Sequence, residues 1–175
     1  MILAGDEIRE RIAKGDIVFD PPVEPEQIGP SSVDLRLGPN LVHPSEDVFR
    51  NLKLTEGRIP AEIYGNSEEI PVGGFNLEPR KLVLGHTLEN ITLPNDLAGR
   101  LEGRSGFARL GLMVHVTSAH IAPRFTGVIV LEMYNLGPNT LVLEPRTPIA
   151  ALVFSKISQP MEAGYEGKFA GQKKA

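Results

Sequence analysis

Turn-forming residues punctuate this chain so densely that a long helix fits almost nowhere in it. It holds 18 glycines and 15 prolines in 175 residues, close to a fifth of the chain, where the two ordinarily make up about 12%. Short apolar runs stand between these breaks, which recur at roughly 8–12-residue intervals through the C-terminal half, the spacing of an all-β barrel or double sheet. Apolar residues make up 41% of the chain. That is material for one core at this length, not for two separate ones. The expectation is a single, mainly β domain over residues 1–175 with a short N-terminal helix.

Local patterns place the elements. Ile8 and Ile12 stand four apart and share a helical face, which Leu3 or Ala4 can join. Gly5 and Asp6 open that helix and Gly15 stops it. The prolines at 21, 22 and 25 exclude helix or central strand there, because each removes a donor and fixes φ. In residues 31–38, Val33, Leu35 and Leu37 alternate with Ser32, Asp34 and Arg36, the mark of a half-buried strand closed by Gly38. Residues 44–76 show few regular patterns and read as loops with one or two short strands. Strands are expected at 81–84, 86–92, 98–102, 112–116, 127–134, 140–143 and 149–154. The tail 164–175, with three lysines and little apolar content, would by itself be mobile.

Composition also removes whole classes of function. The chain has no cysteine, which excludes a disulfide scaffold, a thiol nucleophile, iron–sulfur clusters and thiolate-held zinc. A formal net charge of −4 argues against a broad basic face for polymeric nucleic acid, though a local basic cluster can still take a small anion. The N-terminus carries acidic residues without a long apolar stretch and does not read as a secretory signal. No run approaches the roughly 18 apolar residues of a membrane-spanning helix. A soluble, cytoplasmic protein is the expectation.

Two windows could carry chemistry. Residues 99–111 interleave Arg100, Arg104 and Arg109 with glycines. Glycines let backbone N–H groups approach an anion, and the guanidinium fork suits phosphate oxygens. No Gly-Lys-Ser/Thr ends this window, so it is not a Walker loop. Its plainer reading is a tight turn with arginines paired to surface carboxylates. In the second window, residues 128–135, alternation places Val128, Val130, Glu132 and Tyr134 on one face and Ile129, Leu131 and Met133 on the other. A carboxylate in so apolar a strand is either ion-paired, solvent-facing or a desolvated general base. His115 and His120 lack a third metal ligand at suitable spacing, while His43 and His86 read as isolated surface or core residues.

Taken in order, six segments resemble the dCTP deaminase branch of the dUTPase superfamily. They are 31–38 (SSVDLRLG), 88–94 (LENITLP), 103–112 (GRSGFARLGL), 114–117 (VHVT), 125–135 (FTGVIVLEMYN) and 165–172 (YEGKFAGQ). The 27 positions between Ser105 and Glu132 also suit the family pattern. The resemblance implies a distorted dUTPase-like β-barrel assembling as a homotrimer, with active sites between subunits. It implies hydrolytic deamination of dCTP to dUTP and ammonia without catalytic zinc, Mg²⁺ entering only with the triphosphate. dTTP is the feedback inhibitor that the family would bring.

Residue by residue, the resemblance makes three residues catalytic: Glu132 the base that activates water, Arg109 the arginine that helps hold Glu132 and the water, and Ser105 the serine beside the phosphates and the reacting centre. Arg104 would bind phosphate, helped by the backbone of the turn through Gly106, Phe107, Ala108 and Arg109. Ser118 would stand near the water, and the backbone of Val130 and Leu131 would lie along the nucleotide. Tyr165, Lys168 and Gln172 match a C-terminal lid over 164–175. Two positions depart from the family pattern: Ala122 replaces an aspartate that contacts the sugar hydroxyl, and Gly106 replaces a second serine. The loss at Ala122 weakens a rival reading as a dUTP or dCTP diphosphatase, alone or combined with deamination. The two departures together keep open a third reading, a regulatory trimer that binds nucleotide without turnover.

Overall fold

The alternation of Val33, Leu35 and Leu37 becomes a short strand that ends at Arg36, and all three apolar side chains, Leu37 just past its end, are wholly buried. A computed structural model describes residues 1–44 and 65–162. Helix α1 spans Gly5–Ala13, followed by β1 (Val18–Asp20), a single 3-10 turn at Pro25–Gln27, β2 (Val33–Arg36) and β3 (Asn40–Leu41). Next come β4 (Glu68–Glu69), β5 (Phe75–Leu77), β6 (Leu82–Thr92), β7 (Leu97–Gly103) and the one-turn helix α2 (Ser105–Ala108). The chain continues through β8 (Leu112–Met113), β9 (His120–Ile121), β10 (Thr126–Asn135), β11 (Leu141–Leu143) and β12 (Pro148–Lys156).

Two four-stranded antiparallel sheets make the body, in the orders β1-β6-β10-β8 and β2-β12-β7-β9. Two small ladders, β11-β5 and β3-β4, flank them. Single bridges from Leu37 to Thr87 and from Val42 to Leu84 stitch the chain after β2 onto β6, so the two large sheets share one core. Leu35, Ile91, Leu97, Leu131, Met133, Leu152 and Phe154 are buried in it. Removing each such side chain from water stabilises the fold by roughly 1.5–3 kcal/mol. The mainly β architecture expected from the turn spacing is the one observed.

Helix α1 closes one end of this core through Ile8, with Leu3 just ahead of it. Its start is tied down by hydrogen bonds from the Leu3 N–H to the Phe154 carbonyl and from the Gly5 N–H to the Pro30 carbonyl (3.0 and 2.7 Å). Its exposed face carries Lys14 against Glu10 at 2.6 Å, which holds the carboxyl below its usual range and the ammonium above it. Gly15 ends the helix in the left-handed region, φ +77°, with nothing near the place a Cβ would occupy. Gly15→Ala should therefore cost about 1 kcal/mol from backbone conformation alone, read as a lower urea midpoint with unchanged slope. An unchanged midpoint would show that alanine takes this conformation freely.

Some expected boundaries are corrected. Residues 81–84 and 86–92 are not two strands, because β6 runs unbroken through Gly85. A Cβ there would stand 2.7 Å from Met133 Cε, so the glycine is a packing choice and not a break. The strand expected over 112–116 stops at Met113. Only Leu112 and Met113 face β10, opposite Asn135 and Tyr134, and the chain then leaves the ladder. The strand at 140–143 begins at Leu141. His43 is not isolated either: its Nε2 is 3.2 Å from Glu68, and its ring meets Phe75 edge-on.

Candidate active site

The arginine–glycine window folds into two different things. Its first half lies in β7, where Arg100 pairs with Glu102 on the exposed face, so for Arg100 the plainer reading holds. The second half leaves the strand at Arg104 and turns once through α2. Arg104 and Ser105 carbonyls accept hydrogen bonds from Ala108 and Arg109 N–H groups, at 2.9 and 3.2 Å. Phe107 anchors this turn: it is partly buried against the core and lines a cavity with Leu112, Leu143 and Ile149. Ser105, Gly106, Ala108 and Arg109 face solvent.

Arg104 is held in place. Its Nη1 donates to the Pro148 carbonyl at 2.9 Å, and its Nη2 lies 3.2 Å from Asp34 Oδ2. Arg109 has no ion-pair partner among the described residues. A hydrogen bond from the Leu136 N–H to the Gly111 carbonyl (2.8 Å) ties the end of the turn to the end of β10.

Glu132 sits near the middle of β10, opposite Leu84 of β6. Ile129, Leu131 and Met133 face the core, while Val130, Glu132 and Tyr134 are half-buried, as the alternation predicts; Val128, expected on the same face as these three, is instead buried, next to an irregularity in the ladder. Glu132 Oε2 accepts a hydrogen bond from the Val116 N–H at 2.9 Å. Among the described residues Oε1 has no partner. Upstream, the step from Val128 to Val130 on β10 spans the step from Asn90 to His86 on β6, an irregularity in the ladder. The buried Thr87 hydroxyl fills the gap, accepting from the Ile129 N–H at 3.0 Å and donating to the Glu89 carbonyl at 2.8 Å. Such irregularities re-aim the side chains that follow them.

One edge of β10 pairs with β6 along most of its length, while the other is paired only at Tyr134 and Asn135, by β8. Among the described residues no strand covers that second edge beside Val130 and Leu131. Leu131 turns its side chain into the core and can offer only backbone. Ser118 lies in the exposed segment before β9, and Ala122 is half-buried directly after it. Tyr165, Lys168 and Gln172 lie outside the described residues.

The turn 104–109 is therefore one unit, and Glu132 with the open edge of β10 is another. Within the chain, no described hydrogen bond or ion pair joins residues 104–109 to Glu132 or to the open edge of β10; Gly111, past the turn, is tied to Leu136, past the strand. Sequence reasoning missed Val116, Asp34 and the buried Glu89. Asp34 stood on the polar side of a correctly read alternation, but its partner lies 70 positions away. His115 Nδ1 is buried with no hydrogen-bond partner among the described residues. No group of three or more His, Asp or Glu side chains among them is placed to hold a metal ion, and no described helix is long and apolar enough to cross a membrane.

The family model described as dCTP deaminase-like matches residues 2–157. The chain belongs to that family. A relative named dCTP deaminase, from Shewanella oneidensis, is 41% identical over 171 residues, covering 94% of this chain and 89% of its own. One from Dictyoglomus thermophilum, named dCTP deaminase, dUMP-forming, is 38% identical over 174 residues, covering 99% of this chain and 89% of its own. Among solved structures, the 2′-deoxycytidine 5′-triphosphate deaminase of Agrobacterium tumefaciens superposes with a TM-score of 0.65 at 21% identity. The match covers 87% of this chain but 47% of that longer one, and at this identity the likeness speaks for the fold. Family membership and fold both agree with the resemblance read from the six segments.

Proposed function

We propose that this protein is a dCTP deaminase, hydrolysing the exocyclic amine of dCTP to give dUTP and ammonia, with Glu132 as the base. The observation that carries the reading is the state of the Glu132 carboxylate. One oxygen is fixed by a backbone N–H and the other is open, on a strand whose free edge can run along a nucleotide. Family membership supplies the substrate class. Water adds to C4 of the cytosine ring as Glu132 takes its proton. Glu132 passes that proton to the ring nitrogen, then moves a second proton from the new hydroxyl to the amine, which leaves as ammonia. The net change is dCTP plus water to dUTP plus ammonia, and the carboxylate is regenerated. General acid–base catalysis of this kind contributes about 10²–10⁴-fold.

The turn 104–109 binds the triphosphate. Arg104 supplies guanidinium donors, Ser105 a hydroxyl and Gly106 an open approach to the backbone, while Arg109 holds Glu132 and the attacking water. Mg²⁺ arrives on the triphosphate as part of the substrate. We take the assembly to be a homotrimer in which this turn faces Glu132 of a neighbouring subunit. Support comes from the lack of any described bond between the two units inside one chain, and from the exposure of Arg109 and Ser105.

The test is incubation of the purified chain with dCTP and Mg²⁺, following ammonia, dUTP, dUMP and pyrophosphate separately. Ammonia with equimolar dUTP is the expected result. Ammonia with dUMP and pyrophosphate would make the chain a dUMP-forming enzyme, like the Dictyoglomus relative by its name. Saturable binding of dCTP without any product would sink catalysis and leave a nucleotide-binding regulator.

A further inference from the structure

We propose that Asp34 is a positioning residue that holds the Arg104 guanidinium in place for the nucleotide phosphates; the inference rests on the phosphate role given to Arg104 above. Strands β2 and β7 flank β12, and Asp34 and Glu102 both stand opposite Ala151. Residues directly opposite one another in antiparallel ladders share a face of the sheet. Arg104 lies two residues beyond Glu102 with its backbone still extended, φ −84° and ψ 129°, so its side chain leaves on that same face. From there it reaches across β12 to Asp34.

The acceptor end is rigid. Asp34 is fixed by the β12 ladder, and its carbonyl accepts from Gln27 Nε2 at 2.7 Å. Two residues on, Arg36 is clamped by Glu89 through its backbone N–H at 3.0 Å and its Nε at 2.7 Å. Arg104 thus has one guanidinium nitrogen on the Pro148 carbonyl and another on the Asp34 carboxylate. An arginine carries five N–H donors in a planar fork, and three remain once these two contacts are made. A guanidinium anchored at two points presents those three in a fixed direction, whereas one anchored at a single point swings on a long, rotamer-rich stem.

Stability does not account for the pair. Its side chains are 38% and 28% exposed, and ion pairs open to solvent contribute little to folding. A carboxylate here also reduces the positive charge available to a phosphate. That cost makes sense where direction matters more than field strength.

The experiment compares wild type with Asp34→Asn, Asp34→Ala, Arg104→Ala and the Asp34→Ala/Arg104→Ala double variant. For each it measures affinity for dCTP and for dCMP, steady-state KM and kcat for dCTP, and thermal unfolding. Asp34→Ala should weaken dCTP binding roughly tenfold, the scale of one hydrogen bond to a charged group. It should leave dCMP affinity and the unfolding temperature near wild type, with the loss in KM and not in kcat. Asp34→Asn keeps the shape without the charge and should lose less. The double variant should bind dCTP no worse than Arg104→Ala. Equal losses for dCTP and dCMP, tighter dCTP binding on removal of Asp34, or additive losses in the double variant would each overturn the proposal while leaving the deaminase reading intact. If Arg104→Ala itself leaves the dCTP-to-dCMP ratio unchanged, the phosphate role of Arg104 fails, and the proposal falls with it.

Discussion

Glu132→Gln should bind dCTP almost as well as the wild type and deaminate it at least about 10²–10⁴-fold more slowly, the range lost with a general base. Glutamine has nearly the same shape, and its side-chain carbonyl can accept the Val116 N–H that now holds Oε2 at 2.9 Å. The side chain therefore keeps its direction on β10, and the open strand edge beside Val130 and Leu131 is unaltered. What disappears is proton affinity. An amide can neither take a proton from water nor carry one to the ring nitrogen and the amine, so both transfers fail together. The check is single-turnover product formation set beside equilibrium binding of dCTP. A variant that turns over near the wild-type rate would move the base to another residue. One that loses binding and turnover in equal measure would make Glu132 a substrate contact instead.

The contrast between Glu132 and Asp34 shows what the sequence makes legible. The parity of β10 is a local property: Ile129, Leu131 and Met133 announce the buried face, so Glu132 falls half-buried on the opposite one, as read. The parity of β2 was equally plain, and it placed Asp34 and Arg36 on the polar side. Their partners, Arg104 and Glu89, lie 70 and 53 positions away, and no periodicity reports such pairings. The same limit explains β3 and β4. Each is two residues long and exists because Asn40 and Leu41 find Glu69 and Glu68. Gly85 misled for a different reason. Glycine signals a turn by its backbone freedom, but here it is needed for its missing side chain, under Met133. The 112–116 run was apolar enough for a strand, yet β10 offers it only two partners before its free edge begins.

The largest stability effect is expected at Glu89, which sequence parity could have located. Val83, Gly85, Thr87 and Ile91 alternate into the core along β6, and Glu89 has the same parity and is wholly buried. Its carboxylate accepts from Gln27 Nε2 at 3.2 Å, the Arg36 N–H at 3.0 Å and Arg36 Nε at 2.7 Å. Glu89→Ala would strand the largely buried Arg36 guanidinium, take the acceptor from the Arg36 backbone N–H and leave Gln27 with one acceptor fewer. Breaking a buried pair from one side costs about 3–5 kcal/mol, against a total stability of about 5–15 kcal/mol for an ordinary domain. Glu89→Gln fills the same space but turns an amide donor toward Arg36, so it should fall between wild type and Glu89→Ala. The paired change Glu89→Leu with Arg36→Met removes both charges at once. It should recover part of the loss, because the unpaired charge is gone while the Arg36 N–H and Gln27 Nε2 still lack the acceptor that Glu89 gave them. Denaturant unfolding at one fixed protein concentration reads all of these. A loss below about 1 kcal/mol for Glu89→Ala, the scale of a surface pair, would show that water reaches Arg36 once the carboxylate is gone. Failure of the double change to recover anything would mean that the hydrogen bonds Glu89 accepts, and not a stranded charge, set the cost of losing it.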